Sequence, residues 1–165
     1  MNSENPKPVR RRSRLQWIIR RLTLVFIISF VGLFVLSMTS SRPDNLGVTN
    51  GQLAKCPDSP NCVSTQASDE DHRMSAISMT GTQEEIIDKI KSVIATDFSR
   101  AKLIRETDDY LHYEFTSLIF RFVVDVEFFV DDDLKVNFRS ASRVGRSDLG
   151  ANRKRMTKIT ERLKQ

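Results

Sequence analysis

The chain has 165 residues, a formal net charge of +5 and 28% charged residues. A basic balance of this kind suggests nucleic acid as a partner, but the charge is unevenly distributed. Seven cations and one acid lie within residues 1–21, so the rest of the chain is close to neutral. Because a nearly neutral domain has no general attraction to phosphate backbones, we expect no nucleic-acid partner.

An apolar segment follows the basic N-terminus. Residues 22–38 contain no charge, and Trp17 and its two isoleucine neighbours extend the segment to a length that can span a bilayer. We predict a disordered basic cytoplasmic tail over residues 1–16 and a transmembrane signal-anchor helix over residues 17–38, which makes the lipid bilayer a partner. The preceding cations predict a single-pass protein of the inner (cytoplasmic) membrane, with its N-terminus in the cytoplasm and its C-terminal domain in the periplasm. The alternative is a cleaved signal peptide, although its apolar core is normally shorter.

The two cysteines of the chain frame the short loop CPDSPNC. In an oxidising compartment this arrangement favours a local disulfide between Cys56 and Cys62. Two unpaired thiols, or a metal or redox pair, are the alternatives, but the spacing is not Cys-x-x-Cys. We predict no metal and no cofactor. Residues 39–66 are rich in Ser, Pro, Gly and Asn and are interpreted as a linker that leads into this loop.

Residues 67–165 form the predicted extracytoplasmic domain, which is large enough for one small core. Residues 73–79 are a weak strand candidate. The segment GTQEEIIDKIKSVIATDF is predicted to be a helix, since Thr82 and Glu85 have capping-box spacing and isoleucines recur on one face. A strand over residues 101–107 follows it.

Alternating apolar and polar residues then predict three antiparallel strands, over residues 110–117, 120–130 and 134–141. A tight turn at residues 118–119 joins the first two strands, and the three aspartates at 131–133 join the last two.

A final helix is predicted from about Asp148 to Leu163, with Leu149 in its apolar stripe and Ser147 or Asp148 as its N-cap. The fold class is therefore α+β. It is an antiparallel meander of three to five strands with two helices packed on one face, preceded by one N-terminal transmembrane helix.

The polar face of the predicted sheet is a candidate site. If the turn at 131–133 has three residues, Asp125 lies opposite Arg139, and the turn at 118–119 places His112 beside Asp125. One interpretation is a functional site in which a carboxylate tunes the histidine. The other is a solvated face with cross-strand ion pairs. The same face includes Glu127, Asn137 and Arg121.

The stretch RSASRVGRSDLGANRKR, residues 139–155, holds six cations and one acid. A strand, a loop and a helix start offer free N–H groups to an anion, and arginines bind phosphate or carboxylate. Alternatively, these arginines pair with the domain's own acids, or the stretch contacts a partner protein. We predict a hypothetical anion-binding site formed by Arg139, Arg143, Arg146, Asn152 and Arg153, with a supporting polar network of His112, Asp125, Glu127 and Asp148.

Enzyme motifs are lacking. The chain contains no Gly-x-Ser-x-Gly elbow, P-loop, Rossmann glycine pattern or His-Glu-x-x-His. We therefore favour a non-catalytic domain that binds an anionic envelope component or a membrane protein partner. The alternative is a hydrolase-like enzyme that uses His112 with Asp125 as acid or base.

Four motifs, CPDSPNCVSTQ, YLHYEFTS, RFVVDVEFFVDD and RSASRVGRSDLGANRKR, occur in this order within residues 45–163. Their combination resembles the domain-of-unknown-function family 1499. The resemblance implies an envelope or lumen-facing module and points to no particular activity. Where this chain has Val124, the family pattern often has a second aspartate, so a paired-carboxylate role is not expected there. The resemblance also implies that family motif positions include Asp125, Glu127, Arg139, Arg143, Asp148, Asn152 and Arg153.

Overall fold

The structure is a computed structural model that describes residues 14–165. Its elements in chain order are α1 (Arg14–Met38), β1 (Cys62–Ser64), β2 (Ile77–Ser78), α2 (Gln83–Asp97), β3 (Ala101–Glu106), β4 (Tyr110–Thr116), β5 (Val123–Val130), β6 (Lys135–Ser142) and α3 (Ala151–Leu163). The predicted disordered tail lies outside the described residues up to position 13, and residues 14–16 are the start of α1.

The N-terminal helix α1 is continuous over 25 residues and carries no acid in its first turn. It is long and apolar enough to cross a membrane. Most of its large apolar side chains are exposed, which is costly in water and favourable in lipid. The helix predicted from residue 17 therefore exists and begins at Arg14.

The domain contains one antiparallel sheet of six strands, in the order β1-β6-β5-β4-β3, with β2 also paired to β6. The central strands β4, β5 and β6 were all expected from their alternating pattern. The additional strand β1 lies in the segment interpreted as linker, and its three residues pair with one end of β6. The two-residue β2 pairs with the other end. The α+β class with an antiparallel sheet is thus confirmed.

The core lies between the sheet and the two C-terminal helices. The capping box of α2 forms as predicted, because the Thr82 side chain accepts a hydrogen bond from the Glu85 N–H while the Glu85 carboxylate accepts one from the Thr82 N–H. Both helices bury their apolar stripe on the same face of the sheet. The buried side chains include Ile86, Ile90, Ile94, Leu111, Val126, Phe128, Phe138, Met156 and Ile159.

The predicted turn between β4 and β5 is wrong. The connection is a loop over residues 117–122, and β5 begins at Val123 rather than at residue 120. Consequently His112 lies opposite Glu127 instead of Asp125. The turn chemistry of Gly, Asn or Asp is missing from this loop, so its length could not be read from its composition.

The predicted register between β5 and β6 is also wrong, by two residues. Val130 pairs with Val136 rather than with Leu134, and Arg139 therefore lies opposite Glu127. The connection between the strands is longer than expected because the Asp131 carboxylate accepts hydrogen bonds from the N–H of Asp133 in the turn and from the N–H of Lys135 at the start of β6. Leu134 adopts a φ of 58°, which is in the left-handed region. This conformation is uncommon for a leucine, so the sequence does not predict it.

The start of α3 departs from prediction as well. Leu149, expected in the apolar stripe, is 89% exposed. Leu149 and Gly150 both have positive φ, which turns the chain sharply and directs the leucine outward before the helix begins at Ala151.

The second face of the sheet is covered too. Residues 42–57, part of the predicted linker, cross this face and bury it. Leu53 packs against Tyr110 and Phe129 to form a small second apolar cluster, with Val48 beside it. Both faces of the central strands are therefore shielded from water, and we refer to residues 42–57 as the covering segment.

Candidate functional site

A row of ionisable side chains lies between the sheet and the covering segment. His112 and Glu114 come from β4, Asp125 and Glu127 from β5, and Arg139 from β6. Side chains two residues apart on a strand project from the same face, so the row lies opposite the helices. Regular strand geometry therefore holds these charged groups in fixed relative positions.

Asp125 is the centre of the first cluster of ion pairs. Arg143, just beyond β6, donates from Nε to Oδ2 at 2.7 Å and from Nη2 to Oδ1 at 2.7 Å. His112 Nε2 lies 2.8 Å from Oδ1. Burial raises the pKa of Asp125, but the contacts with Arg143 and His112 outweigh that effect and leave the pKa below its ordinary value. The carboxylate therefore stays ionised and holds Arg143 in one orientation.

Glu114 extends this cluster towards solvent. Its Oε1 accepts a hydrogen bond from Arg42 Nη2 at 2.6 Å and another from Arg143. Burial raises the pKa of Glu114, and the two arginines lower it by more. The pKa of Arg143 is raised, first by its hydrogen bond to Asp125 and then by Glu114. Arg42 thus ties the covering segment to β4 by an ion pair.

Glu127 is the centre of the second cluster and is 0% exposed. Its Oε2 accepts a hydrogen bond from Arg139 Nη1 at 3.2 Å. Its Oε1 accepts one from Tyr110 Oη and one from the Gly47 N–H, each at 2.8 Å. Burial and then the charge of Glu127 raise the pKa of Tyr110, so the phenol remains a protonated donor. The covering segment is thereby fixed at a second point.

Arg139 keeps one donor without a partner. The residue is 5% exposed, and within residues 14–165 its Nε has no hydrogen-bond acceptor. A buried donor without a partner is destabilising until an acceptor reaches it. Arg139 lines a cavity of about 310 Å³ between the sheet and the covering segment. A ligand with an acceptor oxygen is therefore chemically suited to this cavity.

The disulfide forms part of the wall of this cavity. Cys56 is bonded to Cys62, as predicted. Cys56 lines the cavity together with its neighbours Lys55 and Pro57, while Cys62 belongs to β1 and pairs with Ala141 of β6. The bond therefore attaches the covering segment to the edge of the sheet beside the arginines.

The charges around the cavity are nearly balanced. Arg139, Arg143 and Lys55 line it, and Asp125 is the carboxylate among its lining residues. Both Asp125 oxygens already accept hydrogen bonds. The wider set has four cations against three carboxylates: Arg42, Lys55, Arg139 and Arg143 against Glu114, Asp125 and Glu127. The small positive excess favours an anion.

The predicted anion-binding residues fall into two groups. Arg139 and Arg143 line the cavity. Asn152 and Arg153 lie on α3, on the helix side of the sheet, where Arg153 donates to the backbone carbonyls of Asp71 and Arg73 at 2.7 and 3.0 Å. Arg146 is exposed in the loop before α3. The structure therefore does not bring the second group to the cavity.

The predicted N-cap of α3 is wrong, because Gly150 rather than Ser147 or Asp148 occupies that position, but the Asp148 carboxylate still binds N–H groups at the start of the helix. Asp148 Oδ2 accepts a hydrogen bond from the Asn152 N–H at 2.7 Å, and its Oδ1 accepts one from the Gly150 N–H at 3.0 Å. The N–H groups that were expected to attract an external anion thus already bind the chain's own carboxylate. The polar network predicted around His112, Asp125 and Glu127 does not include Asp148.

Several residues of the site were not predicted from the sequence. Arg42, Gly47 and Lys55 belong to the segment interpreted as linker, which gave no indication of long-range contacts. One signal was present in β5, where Phe129 interrupts the polar face. An aromatic side chain on that face indicates that something covers it, and Leu53 does so.

The contact between His112 and Asp125 was predicted, but it forms diagonally rather than between opposite residues. A histidine oriented by a carboxylate is an arrangement that enzymes use for general acid–base catalysis. The histidine is only 3% exposed. His112 is not among the residues that line the cavity beside Arg139 and Arg143, so the geometry favours a structural role for the pair.

Acid is expected to weaken the fold through Asp125 and Glu114. Their folded-state pKa values are lowered, so as the pH falls below about 4 the unfolded chain takes up protons first. Stability from these groups is complete above the unfolded pKa and is lost as the pH falls through the folded value. The test compares melting temperatures of the full-length protein in detergent micelles at about pH 6 and about pH 3, which lie on either side of the ordinary carboxyl pKa range. The melting temperature of Asp125→Asn should therefore change less between these two pH values than that of the wild type.

The matched control is Asp132→Asn, which removes an exposed carboxylate from the β5–β6 turn. This variant should keep the wild-type dependence of melting temperature on pH. If Asp125→Asn also keeps it, the ion pair with Arg143 does not determine acid stability.

The fold and site define a class, namely an α+β domain that follows an apolar N-terminal helix and carries buried ion pairs beneath a disulfide-linked covering segment. The chain belongs to the family described as "Protein of unknown function (DUF1499)", which matches residues 52–163. No curated protein and no solved structure matches the chain. The family region includes Lys55, Arg139 and Arg143, whereas α1 and Arg42 precede it.

Proposed function

We propose that this protein is a membrane-anchored, extracytoplasmic binding domain that holds a small anionic group of an envelope component against Arg139. One observation carries the proposal: Arg139 has a buried Nε without an acceptor, and the same residue lines a cavity together with Arg143 and Lys55. The function is binding rather than catalysis, because His112, the nearest candidate acid or base, lies outside the lining of the cavity.

The chemistry of the cavity suggests a carboxylate or phosphate ligand. A guanidinium presents planar donors that match either group. A volume of about 310 Å³ is at the lower end of the range for small-molecule sites. The cavity therefore suits a head group or one sugar acid, with the remainder of a larger molecule outside.

The location of the ligand follows from the proposed topology. The cations before α1 favour a cytoplasmic N-terminus, which puts the domain on the periplasmic side of the inner membrane. The Cys56–Cys62 disulfide supports that side, since disulfides persist in oxidising compartments. The ligand is then a component of the periplasm or of the outer leaflet of the inner membrane.

A thermal-shift experiment on the full-length protein in detergent micelles tests the proposal. The probes are inorganic phosphate, acetate and a hexuronic acid. A ligand at 100 times its Kd adds about 2.7 kcal/mol to the unfolding free energy, which raises the melting temperature by several degrees. We expect at least one probe to produce this shift in the wild type.

Two variants locate the site. Lys55→Gln removes an exposed cation from the cavity rim, and Arg139→Lys keeps the charge beside Glu127 but removes Nε. Both should reduce the shift, whereas Arg146→Gln, which removes an exposed arginine elsewhere, should not. The proposal fails if no probe shifts the wild type, or if Lys55→Gln and Arg139→Lys respond as the wild type does.

A further inference from the structure

The loop that joins β4 to β5, residues 117–122, presents large apolar side chains to its surroundings. Leu118 is 69% exposed and Ile119 is 62% exposed. Hydrogen bonds close the base of the loop, from the Ser117 N–H to the Phe122 carbonyl and from the Phe122 N–H to the Ser117 hydroxyl. The loop is therefore a fixed apolar projection, and such a surface indicates contact with lipid or protein.

Phe120 connects this loop to α1, since its ring centroid lies 5.3 Å from that of Phe30. Phe30 precedes the end of the helix at Met38 by about 12 Å along the helix axis, at 1.5 Å per residue. Half of a bilayer's hydrocarbon core is about 15 Å thick. When α1 spans the bilayer, a ring packed on Phe30 is therefore at the depth of the lipid chains.

A short connection supports the same placement independently of the ring contact. The helix ends at Met38, and Arg42 is already bound to Glu114 at 2.6 Å. The intervening chain reaches at most about 14 Å when fully extended. Glu114 is close to the end of β4 from which the loop projects, so this end of the sheet is held near the membrane surface.

We propose that residues 118–120 insert into the bilayer leaflet on the side of the domain, as a second membrane contact beyond α1. The side chains enter the hydrocarbon while the loop backbone stays near the interface, because unpaired peptide groups are costly in lipid. Arg121 is exposed beside them and adds a cation at head-group level, where it attracts anionic lipids. The inference rests on α1 spanning the bilayer, which is part of the proposed function, and it does not depend on the anion site.

This contact fixes how the domain stands on the membrane. The loop is at one end of β5 and the turn that contains Asp132 is at the other. The 8 residues of β5 separate them by about 26 Å. Asp132 and Ile119 therefore lie beyond opposite ends of one strand, and the two positions form a matched pair for an experiment.

Tryptophan fluorescence in full-length protein reconstituted into phosphatidylcholine vesicles tests the proposal. The chain has one tryptophan. In a Trp17→Phe background, a new tryptophan is introduced singly by Ile119→Trp, Asp132→Trp or Phe26→Trp, and the lipid acyl chains carry bromine at a defined depth. We expect Ile119→Trp to emit at shorter wavelength and to lose emission to bromines near the head-group end. Asp132→Trp should emit as in water and remain unquenched.

Phe26→Trp lies at the middle of α1, so it is tested with bromines near the ends of the acyl chains; it reports on α1 itself and separates the possible failures. If it is quenched while Ile119→Trp emits as in water, the anchor stands and loop insertion is overturned. If Ile119→Trp shifts to shorter wavelength without quenching by bromine, protein rather than lipid covers the loop, and the proposal is again wrong. If Phe26→Trp is not quenched, α1 is not in the bilayer, and the anchor and the loop insertion fail together.

Discussion

Glu127→Ala is expected to lower the free energy of unfolding by about 3–5 kcal/mol, because it leaves a buried guanidinium without its counter-charge. Glu127 is 0% exposed and accepts hydrogen bonds from Arg139, Tyr110 and the Gly47 N–H. The substitution removes all three acceptor contacts at once, and Arg139 would then lack a partner for Nη1 as well as for Nε. A domain of this size has a total stability of only about 5–15 kcal/mol, so the loss is a large fraction of it.

Urea unfolding of the full-length protein in detergent micelles measures this loss, followed by near-ultraviolet circular dichroism. The matched control is Glu106→Ala, which breaks an exposed ion pair with Lys91 and should cost no more than about 1 kcal/mol. A second variant combines Glu127→Gln with Arg139→Met and removes both charges. It should recover most of the loss, because the cost comes from the unpaired charge. If Glu127→Ala costs no more than Glu106→Ala, solvent or an anion already compensates Arg139.

Local patterns in the sequence were sufficient to predict α2, α3 and the central strands, although not the short strand β1. The capping box at Thr82 and Glu85 marked the start of α2, and the alternation in β4, β5 and β6 identified the sheet. These signals are short-range, since each depends on residues within one turn of a helix or one strand. The α+β class followed from them.

The register of the strands was not predictable in the same way. It depends on the lengths of two turns, and a shift of two residues keeps every side chain on its expected face. The apolar pattern therefore contained no information that distinguished Val130 pairing with Leu134 from Val130 pairing with Val136. The turn contains a leucine at φ 58°, a conformation for which the sequence gives no sign.

The site was predicted in part, for a related reason. Arg139, Asp125, Glu127 and His112 were placed on one face, and they do lie together. The cavity, however, exists only because residues 42–57 cross that face, and no periodic pattern marks a segment without regular secondary structure. Its contacts, such as Gly47 to Glu127, join residues distant in the chain and depend on the completed fold.

Asn152→Ala is expected to lower the free energy of unfolding by about 2–4 kcal/mol while leaving anion binding unchanged. The sequence placed Asn152 among the anion ligands, whereas the structure buries it between α3 and β6. Its Nδ2 donates to the Asn61 carbonyl at 2.7 Å, and its Oδ1 accepts from Ser140 Oγ at 2.6 Å and from Arg155 Nη1 at 2.7 Å. Alanine leaves these buried partners unsatisfied, and each such group costs about 1–3 kcal/mol, reduced where solvent or a neighbour replaces the bond.

The comparison that decides between the two roles uses Lys154→Ala, which removes an exposed side chain from the same helix. Urea unfolding should separate the two variants by at least about 2 kcal/mol, since an exposed substitution away from special contacts stays within about 0.5 kcal/mol. At a temperature where both variants are folded, an anion titration should show that each variant binds the anion with the affinity of the wild type. A selective loss of affinity in Asn152→Ala, without a loss of stability, would return Asn152 to the ligand set and require a second anion site at the start of α3. A loss of stability alone assigns Asn152 to the junction between the sheet and the helix, because Asp148 already binds the N–H groups there.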